Sequence, residues 1–123
     1  MENNITLSLD ISTIDNIHKE TKVSKKLLTI GNRINNLIAD INWINEVRQD
    51  IKFNREEILH LQDKLIWEKD IRKMSGLKDK DIPEVELELE ILDLRNQNES
   101  NRNHIKEMKE VIKRRKQELK DLL

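Results

Sequence analysis

The chain has 123 residues, 38% of them charged and 36% hydrophobic, with two glycines, one proline and only 2% aromatics. So few turn residues and bulky core residues argue against a sheet protein and against an enclosed pocket, and for long helices in a single structural unit. A formal charge of −1 gives no global attraction to nucleic acid or anionic lipid, and the absence of cysteine excludes disulfides, thiolate metal sites and thiol nucleophiles.

At the N-terminus, Ile5, Leu7, Leu9 and Ile11 alternate with polar neighbours at the period of a half-buried strand. No sheet elsewhere in the chain is available to receive it. Residues 1–12 are therefore expected as an extension, either a poorly ordered tail or a strand that adds to the edge of a partner's sheet. Residues 1–10 lack a basic region followed by an apolar run, and no stretch approaches the roughly 20 apolar residues of a membrane span. The expected location is the cytoplasm.

Ser12-Thr13-Ile14-Asp15 offers a hydroxyl cap followed by an acidic residue, so a long helix is expected over residues 13–74. Its organising feature is a column spaced seven apart: Val23, Ile30, Leu37, Ile44, Ile51, Ile58 and Leu65. Such recurrence keeps a side chain on one slowly winding seam, the pattern of coiled coils. With that column as heptad position d, Leu27, Ile34 and Ile41 supply a, until a turns polar at Arg48 and Arg55. Beyond Ile44 the apolar surface is expected to move to flanking positions, Val47 and Leu61 at g and Leu59 and Ile66 at e. Gly31 lies inside and weakens the helix by about 1 kcal/mol relative to alanine, which marks residues 20–31 as the expected place for a break.

Ser75-Gly76 is a helix stop, because glycine accepts the left-handed cap; residues 75–82 form the connection. Asp81-Ile82-Pro83-Glu84 then reads as a helix start, with Asp as cap, Pro in the first turn and Glu three residues after the cap. The second helix, residues 83–123, has its own seam through Leu87, Ile91, Leu94, Asn98, Asn101, Ile105, Met108, Ile112, Arg115, Leu119 and Leu122. Asn98 and Asn101 make that seam either wet or a register-fixing polar layer, with Arg55 and Glu56 as the facing residues. The fold class expected is all-α: an antiparallel helical hairpin of two long helices, assembled into a larger bundle by oligomerisation or a partner.

The expected helices span roughly 80 Å and 60 Å at 1.5 Å rise per residue. Folding about residues 78 and 79 brings the end of the second helix only to about residue 35. Val23, Leu27, Ile30, Ile34, Leu37 and Ile41 are then the expected seam for a second copy or a partner. Trp43, Phe53, Trp67, Ile71 and Met74 fall at outer positions, where a two-stranded coil has no use for them, and are the expected docking side chains.

No arrangement carries catalysis. His18, His60 and His104 are far apart and form no metal-binding helix motif, and there is no nucleophile elbow or phosphate loop. No cofactor, metal or small-molecule substrate is expected. Lys113-Arg114-Arg115-Lys116 is the strongest anion-binding hint, within a local +5 from Arg102 to Lys120 that follows a local −6 from Asp79 to Asp93. Acids at a helix start and bases at its end also complement the helix dipole. The leading expectation is a non-catalytic adaptor or inhibitor that forms a homo-oligomer, a dimer first, and binds another protein. The alternatives are a small nucleic-acid-binding protein using the basic run, and a helical chaperone or targeting partner of a secreted or larger helical protein. In architecture alone the expected hairpin is similar to small helical-hairpin partner proteins of secretion systems and to small coiled-coil proteins of phages.

Overall fold

A computed structural model describes the backbone of residues 11–123 and the side chains from residue 21 onward. The alternating segment expected at residues 4–11 lies, apart from Ile11, outside the described residues. Two helices, α1 (Ile11–Met74) and α2 (Ile82–Leu122), pack against each other as an antiparallel all-α hairpin, with no strand among the described residues. Ser12 lies inside α1 rather than capping it, and α1 runs unbroken through residues 20–31. The cost of about 1 kcal/mol at Gly31 is small beside a proline-free run of lysine, leucine and isoleucine, so no break follows.

The connection is built by side chains that leave few helix-end groups unpaired. Gly76 has φ 72°. There its N–H donates to the Lys73 carbonyl at 3.1 Å, and the Leu77 N–H donates to the Arg72 carbonyl at 3.2 Å. This pair of bonds is the Schellman arrangement, which satisfies carbonyls that the helix end would otherwise orphan. At the start of α2, Asp81 Oδ1 accepts the Glu84 N–H at 2.9 Å, the expected cap. The Glu84 carboxylate does not return to the cap. It turns inward to Arg72, 2.6 Å away, and is fully buried.

The chain divides into two compact units. The larger, Asp40–Lys113, is a seam of interlocking heptads. On α2 the column Glu84, Ile91, Asn98, Ile105 and Ile112 is buried. Leu87, Leu94, Asn101 and Met108, each three residues further on, are half-buried. Apart from Glu84, both columns follow the expected seam. Ile58, Leu61 and Ile91, flanked by Leu65, Leu87 and Leu94, form its densest cluster.

On α1 the expected d column is buried at Ile44, Ile51 and Ile58, and of the two flanks expected beyond Ile44 the one through Val47 and Leu61 is buried while the one through Leu59 and Ile66 is exposed. The position three residues after d is buried at Val47, Asn54 and Leu61, whereas Ile41 in the a column is 43% exposed. Arg48 and Arg55 explain the choice. Burying the a column would have taken two guanidinium groups out of water, while the other flank offers Val47 and Leu61.

The second unit pairs α1 up to Ala39 with Arg114–Leu123. Here Leu37 is buried, and Arg33 Nη1 lies 3.3 Å from Glu118 Oε2. Leu37 therefore leaves the set expected to await a partner. The second helix covers more of the first than folding about residues 78 and 79 implies, because register follows facing side chains and not the midpoint of the connection.

Candidate interaction surfaces

Two polar layers sit within the larger unit. Asn98 is 3% exposed; its carbonyl oxygen accepts the Asn54 amide at 3.0 Å, and its own amide donates to the Ile51 carbonyl at 3.3 Å. Asn98 thus forms a satisfied layer within one chain. Its partner is Asn54, in the column three after d, and not Arg55 or Glu56. The second layer is Arg72 with Glu84. Arg72 continues the d column one heptad beyond Leu65, and Glu84 opens the buried column of α2. Arg72 also donates from Nη1 to the Lys78 carbonyl at 2.9 Å, which ties the connection to the seam. Glu84 Oε2 is buried without a partner among the described residues.

The two-helix seam leaves apolar side chains in water in both units. In the first unit Val23, Leu27, Ile34 and Ile38 are between 42% and 62% exposed. Their spacing of four, seven and four residues keeps them on one face of α1. Ile30 beside them is half-buried. In the larger unit Phe53, Trp67, Ile71 and Met74 are exposed, Met74 at 87%. Trp43 is not. It is half-buried in a shallow groove shared with His104, Glu107, Met108 and Val111, so it belongs in good part to the hairpin's own packing.

The basic run does not form one surface. At about 100° per residue, four consecutive positions point four ways. Lys113, Arg114 and Lys116 are exposed, whereas Arg115 lies at the seam, half-buried. Heptad spacing gathers cations where consecutive spacing does not. Arg55, Arg95 and Arg102 line one groove over Ile58 and Asn98, with Glu99 beside them. None of the three arginines has a hydrogen bond or ion pair among the described residues. Across the hairpin, Asp50 and Phe53 share a groove with Gln97 and Ser100.

No cluster of histidine, aspartate and glutamate that could hold a metal ion occurs among the described residues, and no helix there is long and apolar enough to cross a membrane. The grooves are open and shallow, and every titratable side chain in them lies against solvent on at least one side. No family model matches the chain, and no curated protein or solved structure matches it either.

Proposed function

We infer that this chain is a non-catalytic interaction protein that self-associates and binds another protein through apolar helix surface. One observation carries this reading: Val23, Leu27, Ile34 and Ile38 form an exposed apolar stripe along α1. Burying a half-exposed leucine or isoleucine against a second helix stabilises by about 1 kcal/mol per side chain, so four in a row justify a helix-in-groove or coiled-coil contact.

Sedimentation velocity over a rising concentration series tests it. The full chain is expected to shift to a larger species, and the double variant Leu27→Glu/Ile34→Glu to stay smaller with its helicity intact. A folded wild-type chain that sediments as a monomer at every concentration refutes the self-association half. For the second half, a captured protein counts as a partner only if the double variant loses it.

A further inference from the structure

The larger unit has two sides of opposite charge, and the heptad defines them. Within Asp40–Lys113, one side of the seam consists of the columns through Arg48, Lys52, Arg95 and Lys106; they carry ten basic and two acidic residues. The other side consists of the columns through Glu46, Asp50, Glu86 and Glu90; they carry seven acidic residues and one basic residue. The groove linings agree with this division. Arg55 of α1 shares its groove with Arg95 and Arg102 of α2, and Asp50 of α1 shares the opposite groove with Gln97 and Ser100. The helix dipole does not produce it, since a dipole sorts charge along an axis and this separation runs across one.

We propose that these two sides bind each other between copies: the cationic side of one chain packs on the anionic, aromatic side of a second, with both hairpins pointing the same way. This names the partner in the self-association inferred above and rests on that reading. Three features select a second copy over other occupants. First, the charges are complementary between the two sides of the same molecule. The arginines of one side and Asp50, Glu57 and Glu90 of the other have no ionic partner among the described residues. Second, both sides mix charge with exposed apolar groups, which suits a protein surface and gives nothing to a phosphate backbone. Third, both sides carry apolar groups toward the connection, besides Ile41 and Phe53 further along. Leu59, Ile66, Val85 and Leu92 flank the connection on the cationic side, and Trp67, Ile71 and Met74 flank it on the anionic side.

That last feature sets the direction. Hairpins aligned the same way bring these apolar groups to one end and set Arg55, Arg95 and Arg102 of one copy at the level of Asp50 and Glu57 of the next. Hairpins opposed would bury each kind against the other and leave charges desolvated without partners. The contact uses a different surface on each copy, so it repeats around a ring or along an open stack.

Charge reversal tests it. One variant carries Arg55→Glu/Arg95→Glu/Arg102→Glu and the other Asp50→Lys/Glu90→Lys/Asp93→Lys; all six side chains are exposed, and circular dichroism checks that each variant stays helical. Each variant alone removes much of the charge difference between its two sides and is expected to associate at least about tenfold more weakly than wild type at low salt. An equimolar mixture is expected to restore association, because each variant keeps the side the other needs. Wild-type association that ignores both the reversals and the salt concentration overturns the proposal. If Leu27→Glu/Ile34→Glu still weakens that association, the function inferred above survives without it. Loss in both variants with no rescue on mixing also overturns it. So does a wild-type chain that stays apart from itself yet binds a labelled DNA duplex in a salt-sensitive way lost in the arginine variant, since the cationic side is then a nucleic-acid surface.

Discussion

The Asn54–Asn98 layer lends itself to a double-mutant cycle, because leucine has a branched side chain with as many heavy atoms as asparagine. In Asn98→Leu, the Asn54 amide loses the oxygen 3.0 Å away and stays in a site where Asn54 is 9% exposed. A buried amide stranded in this way costs about 1–3 kcal/mol. Asn54→Leu strands Asn98 in the same manner, with its bond to the Ile51 carbonyl as the one remaining contact. In the double variant both amides are gone and two leucines extend a seam that already has Ile51 and Ile58 on one side and Ile91 and Ile105 on the other. Replacing both members of a buried polar pair is close to neutral or stabilising. Each single variant is therefore expected to be about 1–2 kcal/mol less stable than wild type, and the double variant at least as stable as wild type, which gives a coupling energy of about 2 kcal/mol or more. Urea unfolding followed by far-ultraviolet circular dichroism, at one fixed protein concentration, measures all four corners. A double variant whose loss equals or exceeds the sum of the singles would falsify the reasoning, since the two amides would then not be each other's partners.

Two further changes probe the connection. Arg72→Met leaves the Glu84 carboxylate fully buried without its cation and is expected to cost about 3 kcal/mol, whereas Arg72→Met/Glu84→Met recovers most of that in the same unfolding assay; a single variant as stable as wild type would show that the pair contributes nothing. The two glycines should respond in opposite senses although a Cβ meets nothing within 4 Å at either. Gly76→Ala is expected to lower stability by about 1–2 kcal/mol, because its backbone is left-handed, and Gly31→Ala to raise it by about 1 kcal/mol inside a regular helix. Thermal melts with both midpoints moving the same way would contradict this.

The second helix was legible almost residue by residue. Its seam is a long continuous stripe against which the short run Val85, Leu89 and Leu92 competes only near the connection, and Asp81 and Gly76 mark the helix ends by local chemistry that needs no tertiary information. The first helix was less legible because it offers two candidate companions to its d column. Leu27, Ile34 and Ile41 favour one flank early, and Val47 and Leu61 favour the other later. Which flank meets α2 depends on the facing residues, not on α1 alone. Asn54 and Glu84 were missed as buried groups for a related reason. A lone asparagine or glutamate on a charged helix looks solvated until its partner's register is known. The cationic groove is hard to see in the sequence because its arginines are scattered at heptad spacing, unlike the four consecutive bases Lys113 to Lys116, which do not share a surface.

The polar layers also set an order of events. Arg72 and Glu84 are 12 residues apart in the chain, Asn54 and Asn98 are 44 apart, and Arg33 and Glu118 are 85 apart. Loop-closure entropy grows by only about 0.6 kcal/mol per doubling of length, but it must be met before the contact that closes the loop is made. The capped connection brings Arg72 to Glu84 by closing the shortest loop of the three. Each later layer then joins ends that the previous one already holds close. The hairpin is thus built to zip from its connection outward, a low-contact-order route suited to rapid folding. Glu84, an inconvenient carboxylate in the finished protein, stands at the step where that route begins.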